Sequence, residues 1–212
     1  MAEQLQRRTL DELLNSGRYL YPTHVVGVIE RFHAVEGPGV PRETVLAYAN
    51  AVLDRLGRRA PYGPERFAAL LDARLVDAEV WLPNALYAVG PGRLSVFPSR
   101  WHRRLAGVRD PVQYVGVIGE DLAIARGADV NGPLPPVPRR LLVEAMMALG
   151  GVDRPTAGGL LREARRTGRV RIEPDQNPEA DVWLADPSLW PRGATAPKPT
   201  DADPTTPGRP PV

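Results

Sequence analysis

Apolar residues recur every three or four positions in seven segments of the chain, and this spacing predicts amphipathic helices. The first segment is short, with Leu10, Leu13 and Leu14 on one face. Thr9 and Glu12 are spaced as a capping box at its start. The other six segments form two groups of three, which begin near residues 23 and 110, and short apolar runs after each group predict β-strands.

The second group has the sharper boundaries. Asp110 is a good N-cap, and Pro111 suits the first turn of the helix that follows. A second helix is predicted from Pro138, and a third is capped near Asp153 and ends at Gly168. The predicted strands are 169 to 173 and 181 to 184. The order is therefore helix, helix, helix and β-hairpin.

The first group follows the same plan with a longer hairpin region. Its predicted helices are 23 to 36, 41 to 56 and a third that begins near Pro64. Its predicted strands are 79 to 82, 86 to 89 and 94 to 97, and Gly90-Pro91-Gly92 predicts a turn between the last two.

The two groups also match each other as sequences, which predicts an internal duplication. The matches are Val26-Gly27-Val28-Ile29 with Val115-Gly116-Val117-Ile118, Val40-Pro41-Arg42 with Val137-Pro138-Arg139, and Val-Trp-Leu at 80 to 82 with Val-Trp-Leu at 182 to 184. The offset grows from 89 to 97 and then to 102 residues, so the second copy would carry two small insertions.

This order of elements resembles tandem winged helix-turn-helix proteins. The resemblance implies a mainly α fold with small β-hairpins, of class α+β, built from two tandem winged-helix-like domains. The predicted divisions are an N-terminal helix and lead-in at 1 to 22, a first repeat at 23 to 98, a basic linker at 99 to 110, a second repeat at 111 to 186, and a disordered tail at 187 to 212. Eight prolines in that last segment favour disorder.

Composition narrows the functional classes. The chain has no cysteine, which excludes disulfides and cysteine-based zinc sites. The start of the sequence is polar and no apolar run is long enough to span a membrane, so we expect a cytoplasmic protein with no membrane partner. The three histidines are not spaced as metal ligands, and no phosphate-binding loop is present. We therefore expect no enzyme activity, metal or cofactor.

Charge is distributed unevenly although the formal net charge is only +2. From 137 to 172 there are eight arginines and three acidic residues. Arg162, Arg165, Arg166 and Arg169 have the spacing of one helix face. The third helix of the first group is acidic, which would repel phosphate.

These charges favour DNA as the partner of the second repeat. In winged-helix proteins the third helix usually enters the major groove, so the resemblance implies the same role for this helix. The function predicted is a DNA-binding protein, either a transcriptional regulator or a plasmid or chromosome maintenance factor. The predicted contacts are Arg139, Arg140, Arg154, Thr156, Arg162, Arg165, Arg166, Arg169 and Arg171, with Arg100, Arg103 and Arg104 in the linker.

Two alternatives stay open at this point. The chain could be a protein–protein adaptor of tandem winged-helix type, such as an accessory subunit of an SMC–kleisin complex. A partner or a second copy would then bind the first repeat or the apolar face of the N-terminal helix. Trp101 in the linker could stack on a base, or it could anchor a core between the two repeats.

Overall fold

The computed structural model describes residues 5–16, 20–33, 36–129, 132–174, 177 and 180–190, and within these ranges the chain is a helix-rich α+β protein. The helices are α1 Arg7–Asn15, α2 Pro22–Phe32, α3 Arg42–Leu56, α4 Pro64–Asp72, α5 Ser99–Leu105, α6 Pro111–Ala125, α7 Arg139–Gly150 and α8 Arg154–Arg166. The strands are β1 Val40–Pro41, β2 Leu75–Val76, β3 Leu86–Gly90, β4 Arg93–Ser95, β5 Val137–Pro138, β6 Val170–Glu173 and β7 Asp181–Leu184. Gly57–Arg59 and Pro187–Leu189 are short 3-10 helices.

Buried side chains form two apolar clusters that follow one another along the chain. The first runs from Leu10 to Leu94 and joins α1 to α4 with the sheet of β1 to β4. The second runs from Phe97 to Trp190 and joins α5 to α8 with the sheet of β5 to β7. Phe32 and Val96 pack against both clusters. We call the two parts the first and second units.

The second unit has a three-stranded antiparallel sheet of order β5–β7–β6. Buried and exposed residues alternate along β6, as expected of a strand with one face on the core. Val170 and Ile172 are buried, and Arg171 is exposed. Strand β5 lies immediately before α7, so from α6 onward the unit reads helix, strand, helix, helix, strand, strand. The predicted N-caps of α6 and α8 are confirmed. The Asp110 carboxylate accepts from the Val112 amide at the start of α6, and the Asp153 carboxylate accepts from the Thr156 amide at the start of α8.

The first unit has a four-stranded sheet of order β1–β4–β3–β2, with β2 parallel to β3. The predicted turn between β3 and β4 is confirmed, and Gly92 takes φ +63° there. The strand predicted at 79 to 82 is wrong, since this segment is irregular. Its Trp81 packs instead on Trp101 of α5, with ring centroids 6.2 Å apart.

Strand pairing corrects the register of the internal repeat. The first two sequence matches are equivalent in the structure, on α2 and α6 and at the β1–α3 and β5–α7 starts. The third is not equivalent. Val40 of β1 pairs with Leu94, whereas Val137 of β5 pairs with Val182, so Leu94 and not Val80 corresponds to Val182. The first unit therefore holds extra chain, namely β2 and the segment 77 to 85, between its third helix and its hairpin.

Two expectations for the connecting segments also need correction. The capping box at Thr9 is wrong, because α1 already begins at Arg7 and Thr9 is fully buried within it. Leu10 and Leu13 of α1 are buried in the first cluster, so this face is occupied by the chain itself. The segment expected as a linker contains α5, and Trp101 and Leu105 of α5 are fully buried.

The segment predicted as a disordered tail begins at residue 187, and the structure describes it as far as Trp190. Residues 191 to 212 lie outside the described part of the chain. Trp190 itself is buried against α6, and its indole Nε1 donates to Glu120 at 2.7 Å. None of the helices in the described ranges is both long and apolar enough to cross a membrane.

Gly116 of α6 is required by this contact. A Cβ placed on Gly116 would overlap the Trp190 ring, whereas a Cβ on the equivalent Gly27 of α2 would lie 3.4 to 3.7 Å from its neighbours, Arg31 and Val96. The two glycines occupy matching positions of the repeat but meet different surroundings.

We expect Gly116→Ala to lower the free energy of unfolding by about 1 to 3 kcal/mol, because Trp190 must move. Gly27→Ala should be neutral or stabilising by up to about 1 kcal/mol, since alanine favours a helix and finds room. Urea unfolding followed by tryptophan fluorescence measures both. Equal effects of the two substitutions would contradict the assigned Trp190 contact.

Candidate nucleic-acid interface

Helix α8 separates an apolar face from a cationic one. Ala157, Leu161 and Ala164 are buried against the second cluster, and Leu160 is half-buried. The opposite face is exposed and carries arginines at four positions: Arg154, Arg162, Arg165 and Arg166. The helix period thus places these four cations on the solvent side of one helix, as the spacing predicts.

The exposed arginines differ in what they contact. Arg154 and Arg162 form no ion pair within the described part of the chain. Arg166 holds Glu163 through two hydrogen bonds of 2.7 and 2.9 Å, and both side chains are more than half exposed. Such exposed pairs contribute little to stability, so phosphate could replace Glu163 as the partner of Arg166.

Two half-exposed glycines lie beside Arg162 on α8. Among the described residues, a Cβ added at Gly158 or Gly159 would meet only the Arg162 guanidinium, at 3.4 and 3.8 Å respectively. Close packing against another helix therefore does not explain why these two positions are glycine. Each glycine lowers helix stability by about 1 kcal/mol relative to alanine.

Arg169 does not continue the arginine face. The helix ends at Arg166, and Gly168 turns the chain at φ +67°. Arg169 then reaches Asp110, the N-cap of α6, with 2.6 Å between Nη2 and Oδ2. The expectation that it shares the face of Arg162 and Arg166 is corrected by this helix boundary. Its structural contact ties the end of α8 to the start of α6.

The remaining predicted contacts of the second unit are dispersed. Arg171 is exposed on β6 opposite Trp183 in the strand register. Arg140 pairs with Glu144 one turn along α7 at 3.2 Å, and Arg139 is half-buried at the start of that helix. Thr156 is exposed in the first turn of α8, and its amide is used by the Asp153 cap.

Arg100 and Arg104 belong to the junction between α5 and α6. Arg100 pairs with Glu120 and with Asp121, the latter at 2.6 Å. Arg104 pairs with Glu120 at 2.6 Å and lies over the Trp190 ring, 5.1 Å from its centroid. Both are mostly buried, so we do not retain them in the proposed DNA surface. Arg103, on the same helix, is exposed.

Asp121 is the centre of this junction. It is fully buried and accepts from the Trp101 indole at 2.7 Å, the Trp81 amide at 3.0 Å and Arg100. Burial raises the pKa of Asp121, and these donors oppose that rise. Trp101 is therefore a core anchor between the two units, and its ring is unavailable to a base. The acidic pair Glu120-Asp121 inside the apolar run of α6 was the unused sequence signal for this contact.

A second group missed by the sequence reasoning lies at the end of α2. Glu30 is almost fully buried, and its Oε2 accepts from the Val96 amide at 3.0 Å. Its Oε1 has no hydrogen-bond partner among the described residues, and His102 Nε2 is 3.9 Å away. His102 and Ser95 share a hydrogen bond of 2.8 Å. An acidic residue at the end of the apolar Val25–Ile29 run was the only available signal.

Burial sets the protonation of this group. It raises the pKa of Glu30 to about 7, and the Ser95 hydroxyl, the Val96 amide and Arg31 lower it by less. Burial also lowers the pKa of His102 to about 4, with Arg93 adding to the effect. A catalytic serine triad is not formed, since Glu30 and Ser95 both face the same His102 nitrogen and Ser95 is fully buried.

We expect Glu30→Gln to stabilise the protein at pH 8 but not at pH 4. The native carboxyl holds a proton up to about pH 7, whereas the unfolded one loses it near 4.5, so wild-type stability falls as pH rises through this window. The difference should reach about 2 to 3 kcal/mol at pH 8. Urea unfolding at both pH values measures it.

The matched control is Glu79→Gln, which removes the same charge from an exposed position. It should change the free energy of unfolding by no more than about 0.5 kcal/mol at either pH. A pH-independent effect of Glu30→Gln would show that Glu30 is not buried as an uncharged acid.

Comparisons with protein-family models, with curated proteins and with solved structures returned no significant match to this chain.

Proposed function

We propose that the chain is a DNA-binding protein, of the transcriptional-regulator or plasmid and chromosome maintenance type, and that α8 of the second unit is its DNA-contacting helix. The observation that carries the proposal is the exposed face of α8, which holds Arg154, Arg162, Arg165 and Arg166, with the half-exposed Gly158 and Gly159 on the same helix. Guanidinium groups bind phosphate and guanine edges, and glycine, which has no side chain, permits closer approach of the duplex.

The architecture of the second unit supports this role. Its element order and its sheet order β5–β7–β6 are those expected of a winged helix, in which α8 would be the third helix and β6–β7 the wing. Helices α6 and α7 pack behind α8 and hold its apolar face. A rigid helix with one cationic face is what major-groove contact requires.

The first unit is less suited to contact DNA. Helix α4, which precedes the hairpin of this unit as α8 does in the second, is only nine residues long and exposes Glu65 beside Arg66. Arg42, at the start of α3, is bound by two oxygens of Asp72 at 3.0 Å. The surface that the adaptor alternative assigns to the N-terminal helix is also occupied, because Leu10 and Leu13 are buried. Of the two surfaces that the adaptor alternative offers, this leaves the surface of the first unit, whereas the exposed arginines of α8 support DNA as the partner of the second unit.

Salt dependence tests the proposal. Three or four arginines on phosphate would give a log–log slope of affinity against salt of about −2.7 to −3.6 for one bound copy. We expect the full chain to bind random-sequence duplex DNA with this slope in a fluorescence anisotropy titration. A slope near zero, or no affinity at about 50 mM salt where electrostatic binding is strong, would reject the proposal.

A further inference from the structure

A cleft of about 760 Å³ lies between the two units, on the side where α2 meets α5 and the α7–α8 turn. Its volume is in the range of small-molecule sites, which are usually 300 to 1,000 Å³. Apolar side chains from both units line it, among them Phe32, Met147, Leu149 and Val152. The site therefore exists only because the two units pack together.

The inner end of the cleft carries a buried carboxyl with one unpaired oxygen. Glu30 lines the cleft with its side chain 3% exposed, and its Oε1 has no hydrogen-bond partner among the described residues, although the nearby Ser95 hydroxyl lowers the pKa of this carboxyl. Arg31 also lines the cleft, and its buried Nε is likewise without a partner in the described part of the chain. A buried polar atom left unpaired is destabilising, so a ligand that pairs with it gains affinity.

The mouth of the cleft is cationic. Arg8 and Arg103 line it and are exposed, one on α1 and the other on α5. Arg8 also lies over the Phe32 ring, 5.0 Å from its centroid, which holds the guanidinium beside the apolar wall. Asp153 is the acid at this edge, and its carboxylate already caps α8. An anionic group is therefore favoured at the mouth.

The loop before β1 forms one wall of the cleft through Gly37, Pro38 and Gly39, and hydrogen bonds to its backbone hold it in place. Arg93 donates to the carbonyl oxygens of Glu36, Pro38 and Gly39 at 2.6 to 2.8 Å. Gly39 takes φ +63°, and a Cβ there would overlap the Leu94 carbonyl. The loop is fixed against the first sheet, so this wall is preformed.

We propose that the cleft binds a small hydroxylated organic acid, with its carboxylate between Arg8 and Arg103, its apolar body against Phe32 and Met147, and its hydroxyl against Glu30. A hydroxyl both donates and accepts, so it pairs with Glu30 whether or not that carboxyl holds a proton. A methyl group would pair with neither state. The proposal goes beyond DNA binding and does not depend on it.

The test uses para-hydroxyphenylacetate as the probe and the full chain labelled at methionine methyl groups. Both methionines are buried in the second cluster, but Met147 also lines the cleft and Met146 does not. We expect saturable shifts of the Met147 methyl resonance in NMR titrations, with Met146 nearly unchanged. Phenylacetate, which lacks the hydroxyl, and para-cresol, which lacks the carboxylate, should each bind about 10-fold more weakly.

A variant pair assigns the carboxylate contact. Arg103→Ala should weaken the probe about 5- to 10-fold and leave para-cresol unchanged, because only the charged group is lost. Arg66→Ala removes an equally exposed arginine of α4 outside the cleft and should change neither. No saturable shift of Met147, a response without preference for the hydroxyl, or equal binding by Arg103→Ala and wild type would each overturn the proposal.

Discussion

Replacing Arg154 and Arg162 together by glutamate is expected to weaken DNA binding by at least about 100-fold at low salt. The double substitution removes two cations and places two anions on the same face of α8, so attraction to phosphate becomes repulsion. Arg154 and Arg162 are the informative pair because neither forms an ion pair in the described part of the chain. Arg166 is less informative, since its removal also releases Glu163.

The control variant has the same total change of charge, but at two positions outside α8. Arg58→Glu with Arg66→Glu changes two exposed arginines of the first unit. Their effect should be less than about 5-fold at about 0.1 M salt if α8 is the contact helix, because screening at that salt limits the effect of exposed charges outside the contact surface. Both double variants should unfold within about 1 kcal/mol of wild type. Equal losses of affinity would show a diffuse charge effect and not a site on α8.

Local signals in the sequence were sufficient for many of the helix ends and for the face of α8. Asp110 and Asp153 cap helices through their own next turn, which needs no tertiary information. The helix period likewise selects Ala157 and Ala164 as buried positions of α8, but it selects Leu160 where the structure buries Leu161 fully and Leu160 only partly. The fold class follows from counting such elements.

The sequence pattern could not predict which strands pair with each other, or in which register. Val-Trp-Leu occurs twice, yet one copy is in β7 and the other is in an irregular segment that crosses to the second unit. Strand register is decided by the partner strand, and a two-residue strand such as β1 carries too few positions to show alternation. A tripeptide match therefore says little about equivalence without the sheet.

The same limit applies to charge. Sequence places Arg100, Arg104 and Arg169 in basic segments, but each meets an acid that is 16 to 59 residues away in the chain. A count of basic residues along the sequence therefore includes arginines that are paired with acids inside the folded chain. Arg154 and Arg162 differ because no acid of another described element pairs with them, which only the packing of α6 and α7 behind the helix reveals.

Replacing Asp121 by alanine is expected to have the largest effect on folding. Its carboxylate joins the segment at Trp81, helix α5 through Trp101 and Arg100, and helix α6 on which it resides. Removal leaves two buried N–H groups unpaired and takes one partner from Arg100, which keeps Glu120. Breaking a buried charged pair lowers the free energy of unfolding by about 3 to 5 kcal/mol. Since both units are joined through these contacts, the unfolding transition should also broaden as the units separate.

Two further variants serve as comparisons for Asp121→Ala. Asp72→Ala removes another aspartate bound by an arginine, but the pair with Arg42 is exposed, so its effect should stay below about 1 kcal/mol. Asp121→Asn keeps the shape and one acceptor while turning an amide N–H toward the buried donors, so it should fall between the two alanine variants. Urea unfolding followed by tryptophan fluorescence reads the junction directly, because Trp81 and Trp101 are stacked there. If Asp121→Ala unfolds within about 1 kcal/mol of wild type, the Asp121 contacts do not hold the two units together, and the packing of Trp81 on Trp101 must be sufficient by itself.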